Sequence, residues 1–330
     1  MPIPAVKRLG DPNVPDPSPT PPQRVHWQNT YVSITGSNGQ GEEIPLTGLV
    51  SKDWPAIVMQ PGATGLDTPP WELHSEDSPN LDGGMFRGAR TTQREIMIPV
   101  FIYGVDRKTV LDLKRKLIAS LNPRNGYCLL KFQESDGQAR FLTCYYKSGM
   151  EGNESEDTAG FKWVRYGIQM TAFDPWYYAK TLQVAEWTFG TGVPFFGPAK
   201  FLPFQMSVGL PQTNILPVVN PGDIEAWPVW DIKGPVNSFA LSNTAGKSFG
   251  IPAQVGGGPA VPAGRTLTID TRPGFKTLMD EQGTNYYGLL SPDPQLWTVP
   301  AGRSTIEVDL VSGGGTAAVR MTLTPRYDSY

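Results

Sequence analysis

Cysteine and histidine are scarce in this sequence of 330 residues. The only cysteines are Cys128 and Cys144, and the only histidines are His26 and His74. Two cysteines are too few for a disulfide scaffold, and they fit synthesis in a reducing cytoplasm. No pair of these residues has the short spacing of a zinc site, so we expect neither a metal nor another cofactor.

Charge is also sparse and nearly balanced. Charged residues make up 18% of the chain, and the formal net charge is −3. A chain without a positive excess has no general attraction to phosphate, which argues against tight nucleic-acid binding. The apolar runs are far shorter than the ~20 residues of a membrane-spanning helix. No export signal is recognisable at the start, so we expect a protein that is made in the cytoplasm and enters no membrane.

Turn-forming residues, in contrast, are abundant, with 36 glycines and 33 prolines. Together with the many threonines and aromatic residues they favour short strands, and the sequence predicts a mainly β protein. Residues 1–23 contain eight prolines and show no apolar periodicity. This composition is typical of an extended, polyproline-like arm.

The first half, residues 24–180, is predicted to be an antiparallel β-sandwich with one helix and a hairpin. Runs at 30–35, 44–50 and 57–59 predict an antiparallel sheet, and residues 60–92 read as a long functional loop whose Trp71 and Phe86 dock on something. The apolar run 95–103 contains Pro99, which predicts an edge strand or a bulge that invites a partner. Asp106 can cap a helix that stops before Asn122, because apolar residues recur there at three- and four-residue spacing.

A hairpin follows the helix, with strands at 127–132 and 140–146 around Asp136-Gly137. Two registers are open. One places Cys128 opposite Cys144 on a shared apolar face, and the other sends the two thiols to opposite faces. The apolar pattern favours the facing pair, with both thiols reduced. Alternation then predicts a further strand at 164–170.

The composition changes near residue 180, which we take as a domain junction. Residues 190–223 form a Gly/Pro/Phe-rich insertion, and residues 181–330 read as an all-β sandwich that folds by itself. Clean alternation at 306–310 and 317–323, with Gly313-Gly314-Gly315 between them, predicts a final hairpin.

None of the candidate catalytic motifs has the residues that its chemistry requires, so no catalytic residue is assigned. Residues 246–250 (GKSFG) match G-x-S-x-G, but no histidine follows Ser248, so a turn without a nearby histidine is the better interpretation. The acidic loop at 151–157 lacks the spacing of a calcium site and reads as solvated. Trp227, Trp230 and Trp297 could stack on a sugar, although core packing is the favoured interpretation. Carboxylate pairs on separate strands leave no signature, so glycoside hydrolysis is not excluded.

The order of these elements resembles that of siphophage distal tail proteins. In the first half the resemblance rests on the strand ending in Tyr103-Gly104, the single helix, the hairpin and FDPW at 173–176. In the second half it rests on NPGDIEAWP at 220–228, WDIKG at 230–234, IDT at 269–271 and WTVPAG at 297–302. It covers residues from about 25 to the end as a set of weak motifs. The proline-rich arm and the 190–215 region depart from the compact family pattern.

The resemblance implies a virion structural protein of the tail tip, without catalytic residues. Residues 24–180 would be a belt domain that closes a homohexameric ring between the tail tube and the hub or fibre proteins. Residues 181–330 would be a galectin-like sandwich that projects outward and could meet a host surface glycan. The alternative from another class is a carbohydrate-binding or glycan-cleaving protein with a lectin-like sandwich.

Overall fold

The computed structural model describes residues 30–47, 56–77, 79–80, 82–134, 137–152, 162–189 and 212–330. Several regions lie outside the described residues. They are the proline-rich arm 1–23, His26, Asp136, most of the acidic loop and the insertion up to residue 211. The elements of the first half are β1 (Tyr31–Thr35), β2 (Glu43–Pro45), β3 (Ala56–Met59), β4 (Trp71–Asp77), β5 (Gly84–Thr91), β6 (Arg94–Tyr103), α1 (Arg107–Leu121), β7 (Cys128–Gln133), β8 (Ala139–Ser148), β9 (Trp163–Ala172) and β10 (Tyr177–Tyr178). Those of the second half are β11 (Leu182–Phe189), β12 (Gln212–Asn220), β13 (Pro228–Lys233), β14 (Val236–Asn243), β15 (Ser248–Ile251), β16 (Thr266–Asp270), β17 (Thr277–Asp280), β18 (Gly302–Ser312), β19 (Ala317–Leu323) and β20 (Arg326–Tyr327).

Antiparallel sheets dominate, which confirms the predicted mainly β fold. The main sheet of the first half has the order β2-β1-β7-β8-β9-β6-β3, with β10 paired to β8 and β20 paired to β10. Strand β8 pairs with β7 through its first part and with β9 through its last part, so it joins the two sides of the sheet. Helix α1 packs its buried Val110, Leu117 and Leu121 into the core of this half.

Helix α1 begins and ends where the sequence predicts. The Asp106 side chain accepts a hydrogen bond of 2.7 Å from the backbone N–H of Thr109, which satisfies one of the free donors of the first turn. Asn122 follows the last helical residue and Pro123 stops the helix.

The β7–β8 hairpin has the favoured register. Gln133 lies opposite Ala139, and this places Cys128 opposite Cys144 and Leu130 opposite Leu142. The alternative register is wrong, because the turn closes with a hydrogen bond from the Glu134 N–H to the Gln138 carbonyl at 3.0 Å. Burial of the apolar face decides the register, since a slip by one residue would expose both leucines.

Strand β6 is not an edge strand, so the prediction from Pro99 is wrong. It lies between β9 and β3, and its pairing with β9 runs without a register shift from Arg94 to Tyr103. Proline is tolerated because its side without a donor faces the end of β3, which stops at Met59. On this side the Gln60 N–H donates to the Pro99 carbonyl at 2.8 Å.

The second half is built from two sheets around one core. Their strand orders are β11-β19-β13-β16-β17 and β12-β18-β14-β15, and both contribute buried side chains to the same cluster. The predicted hairpin at 306–323 is wrong, because β18 and β19 lie in different sheets. Each strand buries one side against the shared core, so the alternation is the same as in a hairpin.

The last residues return to the first half. Strand β20 pairs with β10, Tyr327 is buried in the first core, and Tyr330 stacks on Phe132 with ring centroids 4.4 Å apart. The division of the chain into domains 24–180 and 181–330 stays a prediction. If it is correct, residues 326–330 nevertheless pack on the first domain, because their aromatic side chains find their apolar neighbours there.

No helix in the described part of the chain has the length and hydropathy to span a bilayer.

Candidate interaction site

The segment predicted as a long loop contains a β-hairpin that stands apart from the three larger sheets. Strands β4 and β5 pair only with each other, from Trp71 opposite Thr91 to Asp77 opposite Gly84. We call these two strands, residues 71–77 and 84–91, the arm. This arm is distinct from the proline-rich arm at residues 1–23. A hydrogen bond of 3.0 Å from the Thr92 N–H to the Pro70 carbonyl closes its root, directly before β6.

One side of the arm is apolar. Alternation along β4 places Trp71 and Leu73 on the same side, and the register brings Phe86 and Ala89 of β5 to that side as well. The exposed fractions are 53% for Trp71, 68% for Leu73 and 65% for Phe86. Three large apolar side chains therefore face solvent together.

The other side of the arm is held by ion pairs. Arg90 Nε donates to Glu72 Oε2 at 2.7 Å, and Arg87 Nε donates to Glu76 Oε2 at 2.6 Å. Both pairs are exposed and contribute only ~0–1 kcal/mol each. Met85 is the exposed apolar residue on this side, opposite Glu76.

A lone two-stranded hairpin is marginally stable in water, and its apolar side gains nothing while it stays solvated. Exposed aromatic and aliphatic groups that share one side of a ribbon mark an interaction surface. The sequence prediction that Trp71 and Phe86 belong to one docking element agrees with this geometry. Leu73 was missed, although its spacing from Trp71 is the alternation of a strand.

The arm is fixed at its root by a buried arginine, which the sequence did not single out. Arg94 opens β6 and is only 1% exposed. Its guanidinium donates to the backbone carbonyls of Gly65 at 3.0 Å, Pro175 at 3.0 Å and Asp328 at 2.8 Å, and also to that of Asp67. Burial lowers the pKa of this guanidinium.

A second aromatic group, which is half-buried, lies on the side of β6 that faces away from the core. Val58, Phe101 and Arg165 lie opposite one another on β3, β6 and β9, and Trp163 lies two residues before Arg165. The rings of Phe101 and Trp163 stack with centroids 5.9 Å apart. The Arg165 guanidinium carbon lies 5.6 Å from each ring centroid.

The residues considered for chemistry do not come together. Ser248 is not in a turn but is the first residue of β15, opposite Ser242, because the turn ends one residue earlier. His74 lies in the arm opposite Gly88, whereas His26 lies outside the described residues. Within the described ranges, no group of His, Cys, Asp and Glu could hold a metal ion. Glu151 accepts a bond from the Gly149 N–H at 2.8 Å.

The tryptophans of the second half pack as the favoured interpretation predicts. Trp230 is fully buried and Trp297 is 2% exposed, with ring centroids 5.6 Å apart. Trp187 stacks on Trp230 from β11 at 5.9 Å. Trp227 is half-buried. The two buried rings are unavailable for stacking on a sugar.

Comparison with known proteins gives a family-model match to part of the chain and a likeness in fold. Residues 57–149 match the family model of the phage tail protein RIFT-related domain. The chain is similar in structure to the Dit protein (gp 19.1) of phage SPP1, described as a paradigm of the hub adsorption apparatus in phages that infect Gram-positive bacteria. The TM-score is 0.59 at 12% identity, over 89% of this chain and 98% of that one.

It is also similar to a chain of the phage P2 baseplate in its activated conformation, with a TM-score of 0.52 at 9% identity over 92% of this chain and 100% of that chain. None of the curated proteins matches the sequence. The family model and the fold confirm the predicted resemblance to siphophage distal tail proteins and support a structural component of the phage tail tip in the virion. They give no support to the carbohydrate-binding or glycan-cleaving alternative.

Proposed function

We propose that this phage tail protein is a non-enzymatic building block of the tail tip, which self-associates through the arm into a closed ring. The observation that carries the proposal is the apolar side of the arm, with Trp71, Leu73 and Phe86 exposed together. The number of six subunits follows from the resemblance to distal tail proteins. In this proposal the ring joins the tail tube to the hub or fibre proteins, and the second half projects outward.

The physics of the arm favours association over solvation. Full burial of a large apolar side chain contributes ~1.5–3 kcal/mol, so three such groups on one ribbon supply a substantial part of a specific contact. A contact between two different surfaces of identical chains is heterologous, and repeating it either closes a ring or continues as a filament. A tail tip of defined size requires the ring.

The proposal that the protein is no enzyme rests on the likeness to phage tail proteins. Ser248 has no histidine later in the chain to activate it, and the described acids and histidine form no metal cluster. A host glycan as ligand of the second half gains no support from Trp230 and Trp297, because both are buried.

The test is a pair of matched substitutions on the two sides of the arm. Leu73→Ser with Phe86→Ser removes apolar groups from the uncovered side, and Met85→Ser removes one from the ion-paired side. We expect the double variant to weaken self-association by about 10²–10⁴-fold, which is the loss of ~3–6 kcal/mol. Met85→Ser should associate as the unmodified chain does, measured by light scattering over a range of concentrations.

Imaging of the assembled particle decides the role in the virion. A ring at the distal end of the tail tube supports the proposal, and phage carrying Leu73→Ser with Phe86→Ser should lack a properly assembled tip. The proposal is wrong if the protein appears only as peripheral monomers or as trimeric fibres.

A further inference from the structure

We infer that the surface which receives the arm is the outer aromatic side of the first sheet on a second copy of this chain. We call this surface, made of Val58, Phe101, Trp163 and Arg165, the aromatic face. The inference rests on the proposed self-association and assigns the partner surface for it.

The aromatic face is preformed by the register of three strands. Val58 of β3 lies opposite Phe101 of β6, which in turn lies opposite Arg165 of β9. The inner side of the same strands is filled by residues such as Ile57 and Ile102, which are buried in the core. Because one side of these strands packs inward, the aromatic face can only be covered from outside.

The aromatic face is partly solvated. Val58, Phe101 and Trp163 are half-buried, and Arg165 is exposed. The guanidinium lies close to both rings, at 5.6 Å from each centroid, so its position is fixed by two cation–π contacts. A positioned cation beside apolar rings is typical of a protein–protein contact, where Arg and aromatic residues are enriched.

The two surfaces have complementary charge. The alternation of β4 places Asp77 on the apolar side of the arm, near its tip and opposite Gly84. Asp77 is the one acidic residue of β4 on that side, because Glu72 and Glu76 are on the other side with Arg90 and Arg87. The aromatic face carries one exposed positive charge, that of Arg165. A ribbon laid on this face can therefore bury its apolar groups while Asp77 meets Arg165.

The arm of the same copy is not the occupant. The arm leaves the sheet at the Arg94 end of β6, whereas Phe101 lies seven positions farther along this strand. Leu73 and Phe86 are 68% and 65% exposed, so the arm does not lie on the aromatic face of its own chain. A second copy offers both surfaces, and the contact is heterologous, as a ring requires.

The inference can be tested by cross-linking between variants that each carry one added cysteine. The native thiols, Cys128 and Cys144, are buried and do not interfere. Asp77→Cys marks the apolar side of the arm, and Arg165→Cys marks the aromatic face. Glu76→Cys is the matched control, since it is next to Asp77 but points to the ion-paired side. Each variant is purified as the full chain and treated with a short bis-maleimide, alone and in mixtures.

We expect the mixture of Asp77→Cys and Arg165→Cys to give cross-linked dimers, and either variant alone to give few. Docking raises the local thiol concentration to the mM range, so at ~10 μM protein the mixture should exceed the mixture of Glu76→Cys and Arg165→Cys by about 10²-fold. The combination of both substitutions in one chain should give a ladder of multimers.

Three outcomes would overturn the inference, and they separate it from the proposed function. If Asp77→Cys links to itself, the arm packs on another arm. If the unmodified chain forms rings by light scattering or imaging while the mixture gives no excess over control, the arm docks elsewhere and the ring survives. If the chain remains monomeric at every concentration and in the particle, both the ring and this docking surface are wrong.

Discussion

Arg94 donates a hydrogen bond of 2.8 Å to the backbone carbonyl of Asp328, across 234 positions of sequence. The same guanidinium bonds to carbonyls of Gly65, Asp67 and Pro175, and it therefore ties the root of the arm to the last residues of the chain. The guanidinium carbon of Arg94 lies 5.0 Å from the ring centroid of Tyr177. A buried cation that is satisfied by backbone carbonyls holds several segments in one place.

Replacing Arg94 should destabilise the first half. Arg94→Met keeps a long apolar stem but leaves several buried carbonyls without a donor, and we expect a loss of about 2–5 kcal/mol in the free energy of unfolding. Arg165→Met, at an exposed position, is the control and should cost less than ~1 kcal/mol. Denaturant unfolding of both variants is the measurement, and equal stability would show that the carbonyls find water instead.

Removing residues 326–330 should loosen the first core and leave the second intact. The deletion takes away β20, the buried Tyr327 and the stack of Tyr330 on Phe132. Since truncating a buried aromatic residue costs ~3–5 kcal/mol, hydrogen exchange should accelerate strongly in β7 and β10. Strands β13 and β14 should keep their protection. Uniform acceleration in both halves would instead indicate that the chain unfolds as one unit.

The two cysteines should resist thiol reagents in the native protein. Burial raises the pKa of the Cys128 thiol to about 11, and it raises the pKa of Cys144 as well. At pH 8 neither forms a reactive thiolate, so Ellman's reagent should report no free thiol until the protein is unfolded. Ser248→Cys, at an exposed strand end, is the positive control and should react at once. Rapid reaction of the unmodified chain would contradict the packing of the β7–β8 hairpin.

Acid should weaken the second half through Asp280. Its buried carboxylate accepts bonds from the N–H groups of Gln282 at 3.0 Å and Thr284 at 2.8 Å, and from Arg265 at 2.6 Å. Although burial alone would raise its pKa, these donors outweigh it and lower the pKa to about 2. Because the folded pKa lies below the unfolded value of ~3.9, the stabilisation is complete above pH ~4 and is lost as the pH falls towards 2.

Asp280→Asn tests this directly. The melting temperature of the variant should lie below that of the unmodified chain at pH 6, and the gap should narrow as the pH falls from 4 to 2. Asp112→Asn, a surface substitution on α1, is the control and should leave the melting temperature at pH 6 close to that of the unmodified chain. If the difference in melting temperature between Asp280→Asn and the unmodified chain stayed constant from pH 6 to pH 2, the carboxylate would not be stabilised by its donors.

Local patterns were sufficient for several elements. The Asp106 cap and the Asn122-Pro123 stop predict α1 because both act within one turn of the helix. The apolar face that contains Leu130 and Leu142 predicts the hairpin register, since only one pairing buries both side chains. The resemblance to distal tail proteins also came from the sequence, through the order of these elements.

Non-local arrangement caused the errors. Pro99 signals a missing donor, but whether a strand lies on that side depends on β3, which is distant in sequence. The alternation in β18 and β19 shows that each strand buries one side. It does not show to which sheet each strand belongs. Their content of glycine, proline and aspartate made residues 60–92 look like a loop, whereas the register makes residues 71–77 and 84–91 a ribbon with one apolar side.

The sequence by itself determined the mainly β class, the helix, the hairpin register and the likeness to tail proteins, because each depends on neighbours along the chain or on one repeating apolar pattern. Only the tertiary structure decided that Trp71, Leu73 and Phe86 share one side of an arm, that Arg94 binds the last residues, and that Phe101, Trp163 and Arg165 form a face. These relationships join segments far apart in sequence, and they are set by strand order and register. Strand order and register in turn depend on how all the strands bury their apolar sides at once.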